Sequence, residues 1–119
     1  PMQVHYLETV TPEVDAASPS CPGLHGDRFG EADASLGGAR TASLANGGMI
    51  GVRAPMHESE LPIVRPYLLV EDIDAATDSA AKSGAEIAHP PMELPGHGKF
   101  SIYILGGIQY GLWEAPPEH

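Results

Sequence analysis

The sequence predicts an α+β fold in which one unit occurs twice: a strand, a helix or turn, and then three strands. Runs of β-branched and aromatic residues mark the strands, and prolines and glycines separate them at short intervals. The two halves also agree in local sequence at a nearly constant spacing. With 119 residues, 42% of them hydrophobic, the chain can form one domain or two half-domains that share a core.

The first half begins with a predicted strand, because residues 4–10 are rich in side chains that favour extended backbone. Residues 14–17 could open a helix. Pro19 and Pro22 fall where that helix would continue, and proline inside a helix costs about 3 kcal/mol. We therefore predict an irregular segment at residues 18–26 instead of a complete first helix.

Three strands are predicted in the rest of the first half, at residues 32–36, 40–45 and 48–53. Asn46-Gly47 lies between the last two and predicts a hairpin with a two-residue loop. The polar segment from Pro55 to Pro62, bounded by prolines, is interpreted as a linker between the halves.

The second half begins with a predicted strand at residues 63–70. Glu71 and Asp72 can cap a helix at residues 73–83, and Gly84 suits the left-handed residue that follows a helix. The remaining predicted elements are a strand at residues 85–88, a loop at His89–Gly98, a strand at residues 99–105, a turn at Gly106-Gly107 and a strand at residues 108–114.

The two halves align at a spacing of 59 to 60 residues. Residues 14–17 match residues 73–76, and the glycine-rich residues 47–51 match residues 106–111. A repeat of this length indicates a duplicated supersecondary motif. The predicted organisation is one domain, residues 1–119, with module one at 1–55, a linker at 56–62 and module two at 63–116.

The composition excludes several functions. The chain has 16 acidic and 6 basic residues, a net charge of −10, whereas nucleic acids and anionic membranes bind basic surfaces. We see neither an apolar run of about 20 residues nor a signal-peptide pattern, so we expect no membrane span. The single cysteine, Cys21, excludes an internal disulfide and is interpreted as an unreactive thiol of a cytoplasmic protein.

In this order of elements the sequence resembles the vicinal oxygen chelate superfamily, which includes glyoxalase I, extradiol dioxygenases and bleomycin-resistance proteins. Residues 65–76 resemble the family's first strand and helix start, residues 91–100 its proline-glycine loop, and residues 106–113 its last hairpin. The resemblance implies two βαβββ modules, whose curved mixed sheets surround a cleft for a small molecule, and a possible homodimer. Here the first helix is predicted to be degenerate.

The resemblance also implies where a metal would bind. In metal-using members, a His, Gln or Glu from the first and last strands of each module holds a divalent ion that chelates two substrate oxygens. The corresponding residues here are Arg65 and Gly111, and Tyr6 and Gly51. None is a usual ligand, so we predict no metal and no other cofactor. A register shift of one residue would put His5 in place of Tyr6.

Strand alternation predicts which side chains line the cleft, and a loop that borders the cleft in the family adds His97. Aromatic side chains with a few charged groups suit a small-molecule pocket, and arginine can bind a carboxylate or phosphate through both arms of its guanidinium. Alternatively, Arg65 and Glu8 could pair with each other, and the aromatic residues could be ordinary core. The predicted ligand-binding residues are Tyr6, Glu8, Arg53, Arg65, Tyr67, His97, Gln109 and Trp113.

Three functions stay open at this point, and no catalytic residue can be assigned. The first is metal-free binding of a small, partly aromatic or anionic molecule, which we predict. The second is a metal-dependent lyase, isomerase or dioxygenase with displaced ligands at His5, His97 and Glu114. The third is a partner-binding subunit without a ligand.

Overall fold

The computed structural model describes residues 2–14 and 29–117. The predicted irregular segment at residues 18–26, with Cys21, lies outside the described residues, so the degenerate first helix stays a prediction. The described strands are β1 (Val4–Val10), β2 (Arg40–Ser43), β3 (Met49–Arg53), β4 (Ile63–Leu69), β5 (Glu86–Leu94), β6 (Gly98–Leu105) and β7 (Ile108–Glu114), and the α-helix is α1 (Ile73–Lys82).

The chain divides into two compact units. The N-terminal unit is Tyr6–Val64, and the C-terminal unit combines Pro1–His5 with Arg65–His119. The module boundaries predicted from the repeat stay a prediction. The α+β class is confirmed, and the chain from β4 to β7 has the predicted order of a strand, a helix and three strands.

In the N-terminal unit the strand order is β2-β3-β1. Strand β3 runs parallel to β1, with Glu8 opposite Gly51, and antiparallel to β2. The predicted hairpin between β2 and β3 is confirmed, but its loop has three residues. Leu44 and Gly48 close the loop with a hydrogen bond of 2.8 Å, and Gly47 adopts a left-handed φ of 88°. A tight turn followed by a left-handed residue is the usual form of such a loop.

The strand predicted at residues 32–36 is wrong, because Ala34–Leu36 forms a 3-10 turn. Asp33 precedes this turn, and its carboxylate accepts hydrogen bonds from the Ser35 N–H and hydroxyl at 3.0 and 2.6 Å. A short polar side chain that caps local N–H groups offers the backbone an alternative to strand pairing. Leu36 is buried in the core of the unit with Tyr6, Val10, Ala39, Ala42 and Val52.

In the C-terminal unit the strand order is β4-β7-β6-β5. Strand β4 runs parallel to β7, and the other neighbouring pairs are antiparallel. Helix α1 covers one face of this sheet, where the Thr77 and Ser101 hydroxyl groups lie 2.8 Å apart. The predicted helix is confirmed, with Asp72 as its N-cap and Gly84 at a left-handed φ of 99° after its end.

The loop predicted at His89–Gly98 is largely wrong, because β5 continues to Leu94. Strand β5 is an edge strand of the unit's sheet, and its pairing with β6 shifts register on both sides of His89. Proline has no N–H to donate to a neighbouring strand, so it is tolerated at edges and bulges. Pro90 and Pro91 therefore lie within a strand where we expected a loop. Within the described ranges, no helical segment has the length and apolar content that crossing a membrane requires.

Candidate functional site

The two units repeat one strand pair with the same register. In the N-terminal unit Glu8 of β1 lies opposite Gly51 of β3, and in the C-terminal unit Tyr67 of β4 lies opposite Gly111 of β7. The spacing is 59 residues between the first strands and 60 between the last strands, as the sequence repeat predicts. Tyr6 therefore corresponds to Arg65, and these are the first-strand positions at which metal-using members place a ligand.

A tyrosine ring lies over the glycine in each unit. A Cβ atom added to Gly51 would overlap the Tyr6 hydroxyl and lie 2.7 Å from Cε1 and Cζ of that ring. One added to Gly111 would overlap Cδ2 of Tyr67 and lie 2.6 Å from its Cε2. Carbon atoms in proteins do not approach this closely without a shift. Tyr6 and Tyr67 are only 2% and 4% exposed. The space that a metal-binding side chain would need on the last strand is therefore filled by an aromatic ring in both units.

The four family positions do not fit a divalent ion. Gly51 and Gly111 have no side-chain donor atoms, Tyr6 is not among the usual His, Cys or carboxylate ligands, and Arg65 carries a positive charge that repels a cation. Among residues 2–14 and 29–117, no three His, Cys, Asp or Glu side chains are grouped so that they could hold a metal ion.

The displaced ligands of the alternative hypothesis are not brought together as a metal site. Glu114 faces α1, where its carboxylate accepts a hydrogen bond of 3.0 Å from the Ile73 N–H. His97 lies in the turn between β5 and β6, and its carbonyl oxygen accepts a hydrogen bond of 2.8 Å from Trp113 Nε1. The ring of His5 packs against Trp113 with 5.7 Å between centroids. Burial lowers the pKa of His5 from its ordinary value, which favours the neutral form of this side chain.

Five rings form what we call the aromatic face of the C-terminal unit. Trp113, which is 1% exposed, meets the ring of Tyr67 edge-on at 5.6 Å and that of Phe100 at 6.5 Å. The ring of His89 lies 4.8 Å from that of Phe100. The members of the aromatic face are His5, Tyr67, His89, Phe100 and Trp113.

Sequence reasoning missed two members of this face. Phe100 lies directly opposite Trp113 in the antiparallel pair of β6 and β7, so alternation along β6 could have identified it. His89 was assigned to a loop because the prolines after it hid the continuation of β5.

Beside the aromatic face, the structure brings together three of the predicted site residues. Arg65 donates two hydrogen bonds to the side-chain oxygen of Gln109, at 3.1 Å from Nε and 2.6 Å from Nη2. Its Nη1 lies 3.4 Å from the hydroxyl of Tyr67. Arg65 is buried and Gln109 is half-buried. This arrangement places a cation with a planar donor group next to aromatic surface.

The other predicted site residues of the N-terminal unit are engaged in a buried ion-pair network. Arg53 Nε donates to the carboxylate of Glu8 at 2.8 Å. Its Nη1 and Nη2 donate to the two carboxylate oxygens of Glu60 at 2.9 and 2.7 Å. The sequence predicted that Glu8 and Arg53 share a face, but it gave no sign of Glu60, which lies in the segment interpreted as a linker.

The hydrogen bonds from Arg53 lower the pKa of Glu60 to about 2, from an ordinary value of 4.5. Because the folded-state pKa is the lower one, this pair stabilises the fold fully above about pH 4.5. We expect that contribution to be lost as the pH falls from about 4.5 towards 2. In urea unfolding at pH 7, 4 and 3, the difference in unfolding free energy between the original protein and Glu60→Gln should therefore shrink. A constant difference would contradict the assignment of the shift to Arg53.

The comparisons with known proteins agree with this architecture, although no family model matches the chain. The chain is 31% identical over 84 residues to a protein named "Putative glyoxylase CFP32", from Mycobacterium bovis and from Mycobacterium tuberculosis. The match covers 66% of this chain and 32% of those relatives, so the chain spans about a third of their length.

Three solved structures have the same fold. A hypothetical protein from Bacillus halodurans superposes with a TM-score of 0.75 at 12% identity, covering 99% of this chain and 97% of that one. The methylmalonyl-CoA epimerase of M. tuberculosis gives 0.73 at 17% identity, covering 96% and 88%. A Streptomyces coelicolor methylmalonyl-CoA epimerase gives 0.70 at 12% identity, covering 97% and 98%. The chain therefore has the vicinal oxygen chelate fold and is glyoxylase-like in sequence.

Proposed function

We propose that this chain binds a small organic molecule at the aromatic face of the C-terminal unit, and that no divalent ion takes part. The observation that carries the proposal is the filled glycine position: the ring of Tyr67 covers Gly111 where a metal-binding side chain would stand. The same ring belongs to the aromatic face, and the guanidinium of Arg65 lies beside it, 3.4 Å from the Tyr67 hydroxyl.

The chemistry of this surface indicates the kind of ligand. Half-buried Phe100 and His89 offer ring surface on which a planar or apolar group can pack. An anionic oxygen of the ligand would bind the guanidinium of Arg65 in place of the neutral oxygen of Gln109, because charge-assisted hydrogen bonds are the stronger ones. His97 stays a proposed contact for the ligand, because the hydrogen bond from Trp113 Nε1 to its carbonyl oxygen holds the turn beside the aromatic face.

Proteins of the same fold support a small-molecule role. The S. coelicolor epimerase has been solved in complex with 2-nitronate-propionyl-CoA. At 12% sequence identity, the likeness supports a shared fold but not a shared substrate. The cytoplasmic location, the homodimer and the contribution of Tyr6, Glu8 and Arg53 to ligand binding stay predictions.

The test is a thermal-shift and native mass spectrometry screen of untagged protein against aromatic and aliphatic carboxylates, with EDTA and with added divalent ions. We expect a ligand that raises Tm equally under both conditions, since binding to the folded state stabilises it. Phe100→Leu should weaken its binding about tenfold through lost ring contact.

The matched control is Tyr110→Phe, which changes an aromatic side chain on the opposite face of β7 and should leave affinity unchanged. Stabilisation that requires a divalent ion, or equal losses of affinity in the Phe100 and Tyr110 variants, would refute the proposal.

A further inference from the structure

The segment between β3 and β4, residues 54–62, forms an exposed strap on the N-terminal unit. Two of its large apolar side chains are mostly exposed, with Met56 65% and Leu61 75% exposed. Several of its hydrogen bonds are internal, such as the one from Glu60 N–H to the His57 carbonyl at 3.1 Å. The side chain of Glu60, by contrast, is 16% exposed and turns towards the buried Arg53.

Three N–H groups converge on the Glu60 carboxylate. Two belong to Arg53, which binds one oxygen with each terminal nitrogen, and the third is the backbone N–H of Met56 at 2.7 Å. This two-armed geometry is the one in which arginine recognises carboxylates. Glu8 holds the guanidinium from its Nε side at 2.8 Å, so the two terminal nitrogens are oriented before any carboxylate arrives.

Arg53 also holds the strap in place. Within the described part of this unit, the hydrogen bonds that join residues 54–62 to preceding residues are donated by Arg53, to the Glu60 carboxylate and to the Ala54 carbonyl oxygen at 3.2 Å. Glu60 therefore resembles a ligand tethered to its receptor by a short loop. Tethering gives a group a high effective concentration, so a free carboxylate would not compete with it at millimolar levels.

We propose that Arg53 forms a carboxylate-binding site within the N-terminal unit, which the chain occupies with Glu60 and closes with the strap. The class of ligand is a monocarboxylate with a slender aliphatic body, as the glutamate side chain itself has. To displace Glu60 and release the strap, a ligand or partner carboxylate must itself reach a high effective concentration at Arg53, through further contacts with this unit.

The experiment removes the tethered carboxylate and supplies a free one. In Glu60→Ala, sodium acetate should raise Tm saturably, with half-saturation on the order of 10 mM and a rise of about 5 °C at ten times that concentration. Sodium chloride at equal ionic strength and neutral acetamide should not do so. The original protein should show no acetate-specific response.

Glu58→Ala is the matched control, because it removes an exposed carboxylate from the same strap. It should respond to acetate no more than to chloride. Equal effects of acetate and chloride on Glu60→Ala, or an acetate response in Glu58→Ala as large as that in Glu60→Ala, would overturn the proposal.

Proteolysis supplies a second measurement. Chymotrypsin should cut the strap after the exposed Met56 faster in Glu60→Ala than in the original protein, and acetate should restore protection. If Glu60→Ala does not fold in chloride buffer, its refolding yield in acetate is compared with that in chloride. Equal yields would reject the carboxylate site. None of these measurements involves the aromatic face, so they do not depend on the proposed function.

Discussion

Replacing Arg53 by methionine is expected to lower the free energy of unfolding by about 3–5 kcal/mol, because the carboxylates that it pairs with would stay buried without a cation. Arg53 is 5% exposed and lies between the carboxylates of Glu8 and Glu60. Methionine preserves much of the apolar stem but removes the cation that the two carboxylates share. Urea unfolding at pH 7, with the slope compared between variants, measures the loss.

An exposed ion pair provides the control for this prediction. Lys82 and Asp78 lie 2.8 Å apart on α1, with side chains 78% and 63% exposed. Surface pairs of this kind contribute little, so Lys82→Met should change stability by about 0.5 kcal/mol or less.

A triple variant separates lost charge pairing from lost packing at Arg53. Adding Glu8→Gln and Glu60→Gln to Arg53→Met should recover part of the loss, because neutral amides cost less to bury than carboxylates. A loss in the triple variant as large as in Arg53→Met alone would mean that packing of the arginine stem, and not charge, dominates.

Local signals predicted the regular elements well. Helix α1 follows from Asp72 before it and Gly84 after it, since these residues satisfy the exposed backbone groups at helix ends. The two wrong predictions, a strand at residues 32–36 and a loop at His89–Gly98, also have local physical causes. The Asp33 side chain favours a 3-10 turn over a strand, and Pro90 is tolerated in β5 because the strand is bulged and lies at an edge.

The candidate site was predictable only where the repeat fixed the register. Arg65 and Gln109 were expected on one face from strand alternation, and the structure joins them by hydrogen bonds. Glu60 could not be predicted in the same way. Its position depends on the path of an irregular segment, and no periodic pattern encodes that path.

Because the ring of Tyr67 fills the space above Gly111, Gly111→Ala is expected to lower the free energy of unfolding by about 1–3 kcal/mol through overpacking. The added methyl group would overlap the ring of Tyr67. That ring cannot easily move away, because it packs edge-on against Trp113 at 5.6 Å and against Phe100 at 6.2 Å. Gly30→Ala is the control, since its Cβ would lie 3.7 Å from the Thr41 carbonyl oxygen and should be nearly neutral.

A double-mutant cycle shows whether the cost comes from this one contact. In the Tyr67→Ala background the ring is gone, so Gly111→Ala should cost at least about 1 kcal/mol less than it does in the original protein. An absence of coupling would mean that the ring does not occupy the space above Gly111. A side-chain donor could then be accommodated at the family's metal position, and metal-free binding at the aromatic face would lose the observation that carries it.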